Sequence, residues 1–316
     1  MSEFSKIFKK VNGMQQLKQY AKAHVLLHAL VQTAVVGVSK KSLEIVRLSV
    51  RNKILQKLRK KNKKFIADCV DKLSSEVLEK KHEKRIWIAW FQGIEQAPYI
   101  VKRCYQSIVK QFGDYEITVI TDENYADYVV FPEYIVEKYQ KGLITKTHFS
   151  DLLRIELLSE YGGTWIDATV FCSGGDIPKY MLESDLFLFQ ILKPGLDGCS
   201  TAISSWFITA SSDSKIIRLV RELLYNYWRH ANSLIDYFLI HDFFQLAIEA
   251  FPEEWKEVIP VCNSLPHILQ LNFFERYDEE KWEAIRNMTP FHKLSYKWSD
   301  EQLKLEKTFY QKIVAQ

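Results

Sequence analysis

One stretch of the chain, residues 150–170, places acidic, basic and glycine residues at spacings that suit chemistry. It reads SDLLRIELLSEYGGTWIDATV. Apolar residues recur at helical spacing as far as the glycine pair, and Thr-Trp-Ile then favours a strand. Asp167 falls where that strand meets a loop, and Asp151 and Arg154 lie on one helical turn. An acid at a strand end beside an Asp/Arg pair suits the binding of a sugar carried on a metal-chelated diphosphate.

Each of these residues also has a structural interpretation. An aspartate at a strand end, such as Asp167, is a common turn former. Asp151 and Arg154, three residues apart, form a common surface ion pair, and Ser150 is a typical helix N-cap in either case. The residues alone leave both interpretations open.

The pattern Ser-Asp-x-x-Arg, followed by Tyr-Gly-Gly-x-Trp-x-Asp, resembles the metal-dependent nucleotide-sugar glycosyltransferases of the GT-A fold. It is similar to the retaining branch that contains DXD-type sugar transferases and the clostridial toxin glucosyltransferases. Gly-Gly-x-Trp-x-Asp-Ala-Thr, with Thr169 in place of a second acid, resembles the bacterial capsular polysaccharide synthesis family more closely. The resemblance covers roughly residues 84–300, and segments 86–93, 236–241 and 292–298 fit it too.

The resemblance implies roles for the matching residues. Asp167 would be the first acid of a motif that binds metal and ribose, while Ser150, Asp151 and Arg154 would bind the donor sugar. Threonine is a poor ligand for Mg²⁺ or Mn²⁺ compared with a carboxylate, so Thr169 argues against two-carboxylate chelation. We expect Mn²⁺ or Mg²⁺ as cofactor, held by Asp167, the diphosphate, water and a C-terminal residue.

A basic segment near the C-terminus supplies further candidates by the same resemblance. His292 would bind the metal, Lys293 and Lys297 would pair with the diphosphate, and Trp298 would pack over the donor. A basic surface loop containing a hydrogen-bonded histidine explains these residues equally well.

Residues after the first two strands are candidates for binding the nucleotide base. Trp90 and Gln92 end the first strand, and Asp122, after the second, is a weaker candidate for the same pocket. Trp87 and Trp90 are three apart, so strand alternation puts them on opposite faces and at most one faces the nucleotide. Core packing explains either tryptophan equally well.

Asp236 and His241 are the candidate catalytic residues. By family position Asp236 would lie beside the donor sugar, and His241 with Asp242 would form an acid/base pair. A buried helical histidine is usually structural, so that interpretation also stays open.

These side chains need a framework, which an alternation of strand and helix patterns from residue 86 supplies. It predicts an α/β fold, a Rossmann-like mixed sheet between helices as in GT-A transferases. Residues 14–36 and 41–80 are nearly free of glycine and proline, so we predict one helix in each, and another over 234–250. We expect a basic helical appendage over residues 1–82 and a GT-A glycosyltransferase domain over 83–316.

Charge is distributed unevenly along the chain. Residues 1–80 hold 18 Lys/Arg and 6 Asp/Glu, a balance of +12, and the rest holds 25 and 33, a balance of −8. This predicts attraction to an anionic membrane surface at about 1 kcal/mol per basic residue, with a solvated helix face as the alternative. No nucleic-acid-binding motif accompanies the charge, so we expect no nucleic acid partner.

Features that the sequence lacks indicate the cellular compartment and argue against several classes of enzyme. Five widely spaced cysteines indicate a reducing compartment. No signal peptide is apparent, and residues 23–38 are too short and polar to span a bilayer, so we expect a cytoplasmic protein on the inner face of the cell membrane. No Gly-x-Gly-x-x-Gly, P-loop or Gly-x-Ser-x-Gly motif supports a dinucleotide, ATP or hydrolase interpretation.

The resulting hypothesis is a retaining, metal-dependent bacterial glycosyltransferase. It would move galactose or glucose from a UDP-hexose to a lipid-linked (polyprenyl diphosphate) saccharide in capsular or surface polysaccharide synthesis. One alternative is a toxin-like protein glucosyltransferase, and the other is a non-catalytic membrane- or nucleic-acid-binding adaptor on a degenerate transferase fold. The sequence does not predict the donor hexose, the linkage or the oligomeric state.

Overall fold

A computed structural model describes residues 13–192 and 199–315. Eight strands lie within these residues, six in a central mixed sheet and two in a separate ribbon. In chain order they are β1 (Arg85–Ala89), β2 (Glu116–Ile120), β3 (Gly163–Ile166), β4 (Val170–Cys172), β5 (Leu186–Gln190), β6 (Ile203–Ala210), β7 (Val261–Cys262) and β8 (Phe291–Lys293).

The central sheet has the order β2-β1-β3-β6-β5-β7, and β4 pairs with β8 in the ribbon. β1 is parallel to both β2 and β3, whereas β6 runs antiparallel to β3 and β5. The carboxyl ends of β1, β2 and β3 therefore meet at one edge. In sheets of this kind ligands bind in the crevice outside the carboxyl ends of the strands.

Helices cover both faces of the sheet. The α-helices are α1 (Gly13–Lys22), α2 (Leu26–Val36), α3 (Lys40–Ser75), α4 (Tyr99–Gln111), α5 (Tyr125–Tyr128), α6 (Glu133–Gln140), α7 (Lys146–Tyr161), α8 (Tyr180–Glu183), α9 (Lys215–His230), α10 (Leu239–Ala250), α11 (Pro252–Lys256), α12 (Ile268–Leu271), α13 (Glu279–Met288) and α14 (Asp300–Leu303).

Strand alternation divides the core into two layers. Trp87, Trp165 and Ile208 point towards α7, α9 and α10, in the larger apolar cluster. Ile86 and Phe207 point the other way, towards α4, in a second cluster. The predicted fold class, a mixed α/β sheet between helices with helices at the N-terminus, is confirmed.

The prediction of one helix over residues 14–36 is wrong, because the chain turns between α1 and α2. His24 there has a φ of 53°, outside the helical region, and its neighbours Ala23 and Val25 are buried. Lys57 on α3 donates hydrogen bonds to the carbonyls of Ala23 (2.9 Å) and His24 (3.2 Å). Lys57 thus satisfies carbonyls that a helix end leaves without partners.

α3 packs along the main body of the protein. Its buried residues include Val50, Ile54 and Leu58, which belong to the same apolar cluster as α9 and α10. The composition predicts a boundary between residues 82 and 83. One apolar core contains residues from both sides of that boundary. Within residues 13–192 and 199–315, no helix combines the length and apolarity that crossing a membrane requires.

The glycine pair between α7 and β3 is required by close backbone contacts. Gly162 and Gly163 have φ values of 69° and 91°, which disfavour other residues. A Cβ atom would lie 2.4 Å from the Lys81 carbonyl oxygen at Gly162, and 2.7 Å from the Arg85 carbonyl oxygen at Gly163. The pair therefore lets the segment before β1 cross directly over the α7–β3 turn.

Candidate active site

A cavity of about 480 Å³ opens at the edge where β1 and β3 end. Ligand sites of this size are usual for small molecules. Trp90 follows β1 and Asp167 follows β3, and both line the cavity. Its other lining residues are Ala89, Phe91, Gln92, Gln96, Lys146, Thr147, Ser150, Arg154, Trp165, Ala168, Thr169, Tyr237, Lys293, Tyr296 and Lys297.

Asp167 is fixed by both its backbone and its side chain. Its N–H donates to the Trp206 carbonyl at 2.9 Å, and its own carbonyl accepts from the Val170 N–H at 2.9 Å. Its Oδ1 accepts from the Trp165 indole at 2.9 Å, and its Oδ2 accepts from Lys293 Nζ at 2.8 Å. The side chain remains 25% exposed, so part of the carboxylate faces the cavity.

Arg154 lies between two carboxylates. Its Nη2 is 3.4 Å from Asp167 Oδ1 and 3.4 Å from Asp151 Oδ1, and the guanidinium lies 5.0 Å from the Trp165 ring. The Arg154 and Asp151 side chains are only 6% and 10% exposed, which rules out the surface ion pair that the sequence left open. Asp151 does not line the cavity; it holds Arg154 there from behind.

The charge state of Asp167 follows from its neighbours. Burial raises its pKa, but the positive charges of Lys293 and Arg154 and the hydrogen bonds from Lys293 and Trp165 outweigh burial and hold it below its ordinary value. Asp167 is therefore a carboxylate at neutral pH.

Lys293 reaches Asp167 from the β4–β8 ribbon, a strand pairing that no sequence pattern predicted. It lies opposite Val170 in the antiparallel register, and its Nζ also donates to Thr169 Oγ1 at 2.7 Å. The ammonium group thus bridges Asp167 and Thr169, the two side chains at the motif positions where a DXD sequence has its acids.

His292 points away from this site. It precedes Lys293 on β8, so strand alternation sends its ring to the opposite face. The ring is fully buried beside Trp282, its Nε2 is 3.0 Å from Ser173 Oγ, and burial lowers its pKa to about 3. His292 does not line the cavity, and the structure does not bring it together with Asp167.

The protein side chains offer a divalent cation one carboxylate at this site. No group of three or more His, Cys, Asp or Glu residues in the described part of the chain could hold a metal ion. Asp167 is the single carboxylate, and the Lys293 ammonium occupies the space that a cation chelated by Asp167 and Thr169 would need. A positive charge of the protein therefore lies between the two side chains at the motif positions.

Of the two remaining C-terminal candidates, one lines the cavity and the other does not. Lys297 lines the cavity, but Trp298 packs against Phe273 and Phe274 and donates to the Ser295 carbonyl at 2.6 Å. Tyr296, which the sequence analysis missed, lines the cavity instead, edge-on to Trp90 at 5.4 Å.

The β1 end presents one tryptophan to the cavity. Trp87 is buried in the core and donates to the Gly162 carbonyl at 3.0 Å, whereas Trp90 and the exposed Gln92 line the cavity. Asp122, at the β2 end, is not a lining residue. It accepts from Tyr139 Oη and from Lys146 Nζ, both at 2.6 Å, and so orients Lys146, a lining residue that the sequence analysis also missed.

The two predicted catalytic residues lie outside this cavity. The helix predicted over 234–250 begins only at Leu239, because Asp236 Oδ1 accepts from the Phe238 N–H at 2.7 Å and forms a turn. Tyr237, which follows Asp236 in this turn, does line the cavity. His241 approaches Ser205 Oγ at 3.4 Å, and burial lowers its pKa to about 4. Burial raises the pKa of the adjacent Asp242 to about 8.

Taken together, the lining residues make a basic, aromatic cavity. Four basic side chains face one carboxylate. Thr147, Ser150 and Arg154 come from one face of α7, at helical spacing, and Ser150 Oγ accepts from Arg154 at 3.2 Å. The chemistry of such a cavity suits an anion that carries flat or ring-shaped groups, since guanidinium and ammonium donors pair with phosphate and aromatic faces stack on rings.

Curated relatives and a solved structure give partial matches. The chain is 26% identical over 170 residues to the O-glycosyltransferase braB of Annulohypoxylon truncatum, covering 48% of this chain and 39% of that protein. It is 25% identical over 183 residues to the O-glycosyltransferase PaGT of Phomopsis amygdali, covering 52% and 44%. The matches span under half the length of these relatives.

A solved structure of the PaToxG glycosyltransferase is similar over 83% of this chain and 97% of that chain, with 14% identity. Its TM-score of 0.35 is too low to support a mechanistic comparison. A family model described as capsular polysaccharide synthesis protein matches residues 36–313, which include α3 and every residue that lines the cavity. The chain belongs to the capsular polysaccharide synthesis protein family.

Proposed function

We propose that this protein is a retaining glycosyltransferase that moves galactose or glucose from a UDP-hexose to a lipid-linked saccharide, a polyprenyl diphosphate acceptor. One observation carries the proposal: four basic side chains and one carboxylate surround an aromatic-walled cavity at the carboxyl ends of parallel strands. The names of the matched relatives and the family description support the same reaction class.

The chemistry requires positive charge near the leaving group. When the bond from the anomeric carbon to the diphosphate breaks, negative charge grows on the phosphate oxygen. Lys293 and Arg154 are held by Asp167 and Asp151 before any donor arrives, so they need little reorganisation at that moment. Lys146 and Lys297 add positive charge at the rim.

Nucleotide and sugar binding fall to the remaining lining residues. Trp90 and Tyr296 offer faces on which uracil stacks, and Gln92 lies within reach of its polar edge. The exposed quarter of Asp167 and the Ser150 hydroxyl are suited to sugar or ribose hydroxyls.

A retaining mechanism is consistent with the number of carboxylates that line the cavity. Asp167 is the one acid among the lining residues, and it is already ion-paired. A front-face transfer, in which the departing phosphate oxygen takes the proton of the acceptor hydroxyl, needs no other carboxylate. Asp236 and His241 are then residues outside the donor cavity.

The expected cofactor, Mn²⁺ or Mg²⁺, stays a prediction from the sequence. The side chains in place offer it one carboxylate, so no step here depends on it. In its place the Lys293 ammonium supplies the fixed charge next to the diphosphate.

The expected location, on the inner face of the cell membrane, is part of the proposal. α2 exposes Leu27 and Val35, each 76% exposed, and basic residues are concentrated in residues 1–80. An apolar helix face beside excess positive charge is suited to an anionic membrane surface.

The test is release of UDP from a panel of UDP-sugars, with and without acceptor. We expect slow hydrolysis of one UDP-hexose without acceptor, and a loss of about a hundredfold in the Arg154→Met variant. Arg276→Gln, an exposed arginine that lines no cavity described here, is the control. Absence of both hydrolysis and UDP binding in the wild type would support the non-catalytic adaptor instead. Transfer to a protein alone would support the toxin-like alternative.

A further inference from the structure

A second cavity, of about 800 Å³, lies between the N-terminal helices and the turn before α10. Tyr20 of α1 and Arg47 and Arg51 of α3 form one side, and Asp236, Tyr237 and Phe238 form the other. Asp236, a catalytic candidate from the sequence, thus lines this cavity and not the donor cavity.

Tyr237 connects this cavity with the donor cavity. Its side chain lines both, is 55% exposed, and lies on the turn that Asp236 fixes. Tyr237 is the one residue that the two lining sets share, so the two cavities adjoin at its side chain.

The larger cavity is lined by three basic residues, Lys41, Arg47 and Arg51, and by two acids, Glu44 and Asp236. Arg47 and Arg51 form no salt bridge with any residue that the structure describes, whereas Lys41 beside them is paired with Glu44. The Arg51 guanidinium lies 4.3 Å from the Phe238 ring centre, and its Nε is buried with no hydrogen-bond partner in the described chain. A buried donor without a partner is costly unless a ligand supplies the acceptor.

An apolar cleft continues from the far end of the cavity. It has a volume of about 190 Å³ and shares Gln16, Tyr20 and Arg47 with the larger cavity. Its apolar lining residues include Leu17, Ala29 and Leu30. Leu30, which is 53% exposed, lines this cleft, whereas Leu27 and Val35 of the same helix do not. Through shared lining residues, the donor cavity thus adjoins the larger cavity, and the larger cavity adjoins the apolar cleft.

We propose that this second cavity is the acceptor site and that it takes an anionic amphiphile. The saccharide hydroxyl of the acceptor would lie at Tyr237, its phosphate would pair with Arg51 and Arg47, and its apolar chain would lie in the cleft beside Leu30. The inference rests on the proposed function, and it makes the N-terminal helices part of the substrate site as well as a membrane contact.

The experiment measures the KM for three acceptors at a saturating donor concentration. All three contain the same saccharide. In the first it is attached to an alkyl diphosphate, in the second to an uncharged alkyl chain (a neutral alkyl glycoside), and in the third to a phosphate without an alkyl chain. We expect the alkyl diphosphate to have the lowest KM. Arg47→Gln and Arg51→Gln should each raise that KM by about tenfold, since a charge-assisted hydrogen bond contributes roughly that much, and leave the KM for the neutral glycoside unchanged. Arg276→Gln is the charge-matched control.

The apolar arm uses Leu30→Asn, with Leu271→Asn as control because Leu271 is exposed and lies outside both cavities. Leu30→Asn should raise the KM for the alkyl diphosphate and not for the chain-free phosphate. Equal KM values for charged and neutral acceptors, or no effect of either arginine variant, would overturn the proposal. So would weaker binding of the arginine variants to phosphatidylglycerol vesicles with no change in any acceptor KM, which would make the cavity a lipid-headgroup site.

Failure of this proposal differs from failure of the proposed function. Donor hydrolysis by the wild type, measured without acceptor, tests the donor cavity alone. Arg47 is exposed, so Arg47→Gln remains informative even if Arg51→Gln fails to fold.

Discussion

The ammonium group of Lys293 lies 2.8 Å from a carboxylate oxygen of Asp167 and 2.7 Å from the hydroxyl of Thr169. The three residues come from two parts of the chain: the turn after β3 supplies Asp167 and Thr169, and β8 supplies Lys293. This arrangement holds a positive charge of the protein in the proposed donor cavity.

Loss of the Lys293 charge should weaken catalysis. We expect Lys293→Met to reduce UDP-hexose hydrolysis by about a hundredfold, which corresponds to one preorganised donor to a developing oxyanion. Lys293→Arg should keep part of the rate, and Lys304→Met, at an exposed lysine, should keep all of it. Full activity of Lys293→Met would contradict a role for this ammonium group.

Removal of divalent cations tests the same geometry without mutation. Because Lys293 already occupies the space between Asp167 and Thr169, the affinity for UDP should differ by less than about tenfold between Mn²⁺ and a chelator. Isothermal titration calorimetry measures this directly. Binding that disappears in the chelator would mean that Asp167 and the diphosphate hold a metal, as the sequence predicts.

The buried His292 should make stability fall in acid. Its ordinary pKa is 6.5, and burial lowers it to about 3 in the folded protein. Below about pH 6.5 the unfolded chain therefore binds a proton that the folded chain does not, and the free energy of unfolding falls as pH falls. In His292→Gln, the loss between about pH 7 and about pH 5 should be smaller by about 2 kcal/mol.

Urea unfolding at several pH values measures this difference. An unchanged pH slope would contradict the burial of a neutral ring. Because His292 lies outside the donor cavity, a large drop in UDP affinity in the same variant would instead favour the metal-ligand role implied by the sequence.

Sequence patterns predicted the site residues that lie close together in the chain. They did not predict the contacts between segments that are far apart in the chain. Arg154 and Asp167 lie on either side of a glycine turn, so their proximity follows from helix and strand patterns. Lys293 depends on pairing between two three-residue strands, β4 and β8, which are too short for a recognisable pattern. Strand alternation within β8 would have separated Lys293 from His292 once a strand was recognised there.

Other misses have equally local causes. Asp236 looked helical because aromatic residues follow it, but its side chain bonds to the Phe238 N–H and delays the helix. Thr147 lies seven residues before Arg154, and extending that face of α7 by two turns would have found it. Tyr296 carried no signal beyond its place in the basic C-terminal segment.

The glycine pair offers a matched stability test. Gly162→Ala would place a Cβ 2.4 Å from the Lys81 carbonyl oxygen, whereas Gly142, with a similar φ of 70°, has nothing within 4 Å. We expect Gly142→Ala to cost about 1 kcal/mol from its backbone conformation alone, and Gly162→Ala to cost at least about 3 kcal/mol. Equal changes in the free energy of unfolding would show that the backbone contact at Gly162 is not tight.

The continuous core predicts that α3 unfolds together with the sheet. Leu58 is 2% exposed in the cluster shared with α9 and α10. Leu58→Ala should lower the stability of the whole protein by about 2–4 kcal/mol, and the exposed Gln56→Ala should change it little. Tryptophan fluorescence and far-UV circular dichroism should report one coincident transition. Two separate transitions would instead support residues 1–82 as an independent appendage.

The most direct test of the donor site compares wild type with Asp167→Ala across a panel of UDP-sugars, following UDP release. The wild type should consume one UDP-hexose in preference to the others, and the variant should lose that activity by about a hundredfold while remaining folded, because Lys293 and Arg154 lose the carboxylate that positions them. Turnover of every donor by Asp167→Ala at the wild-type rate would contradict the assignment of this cavity.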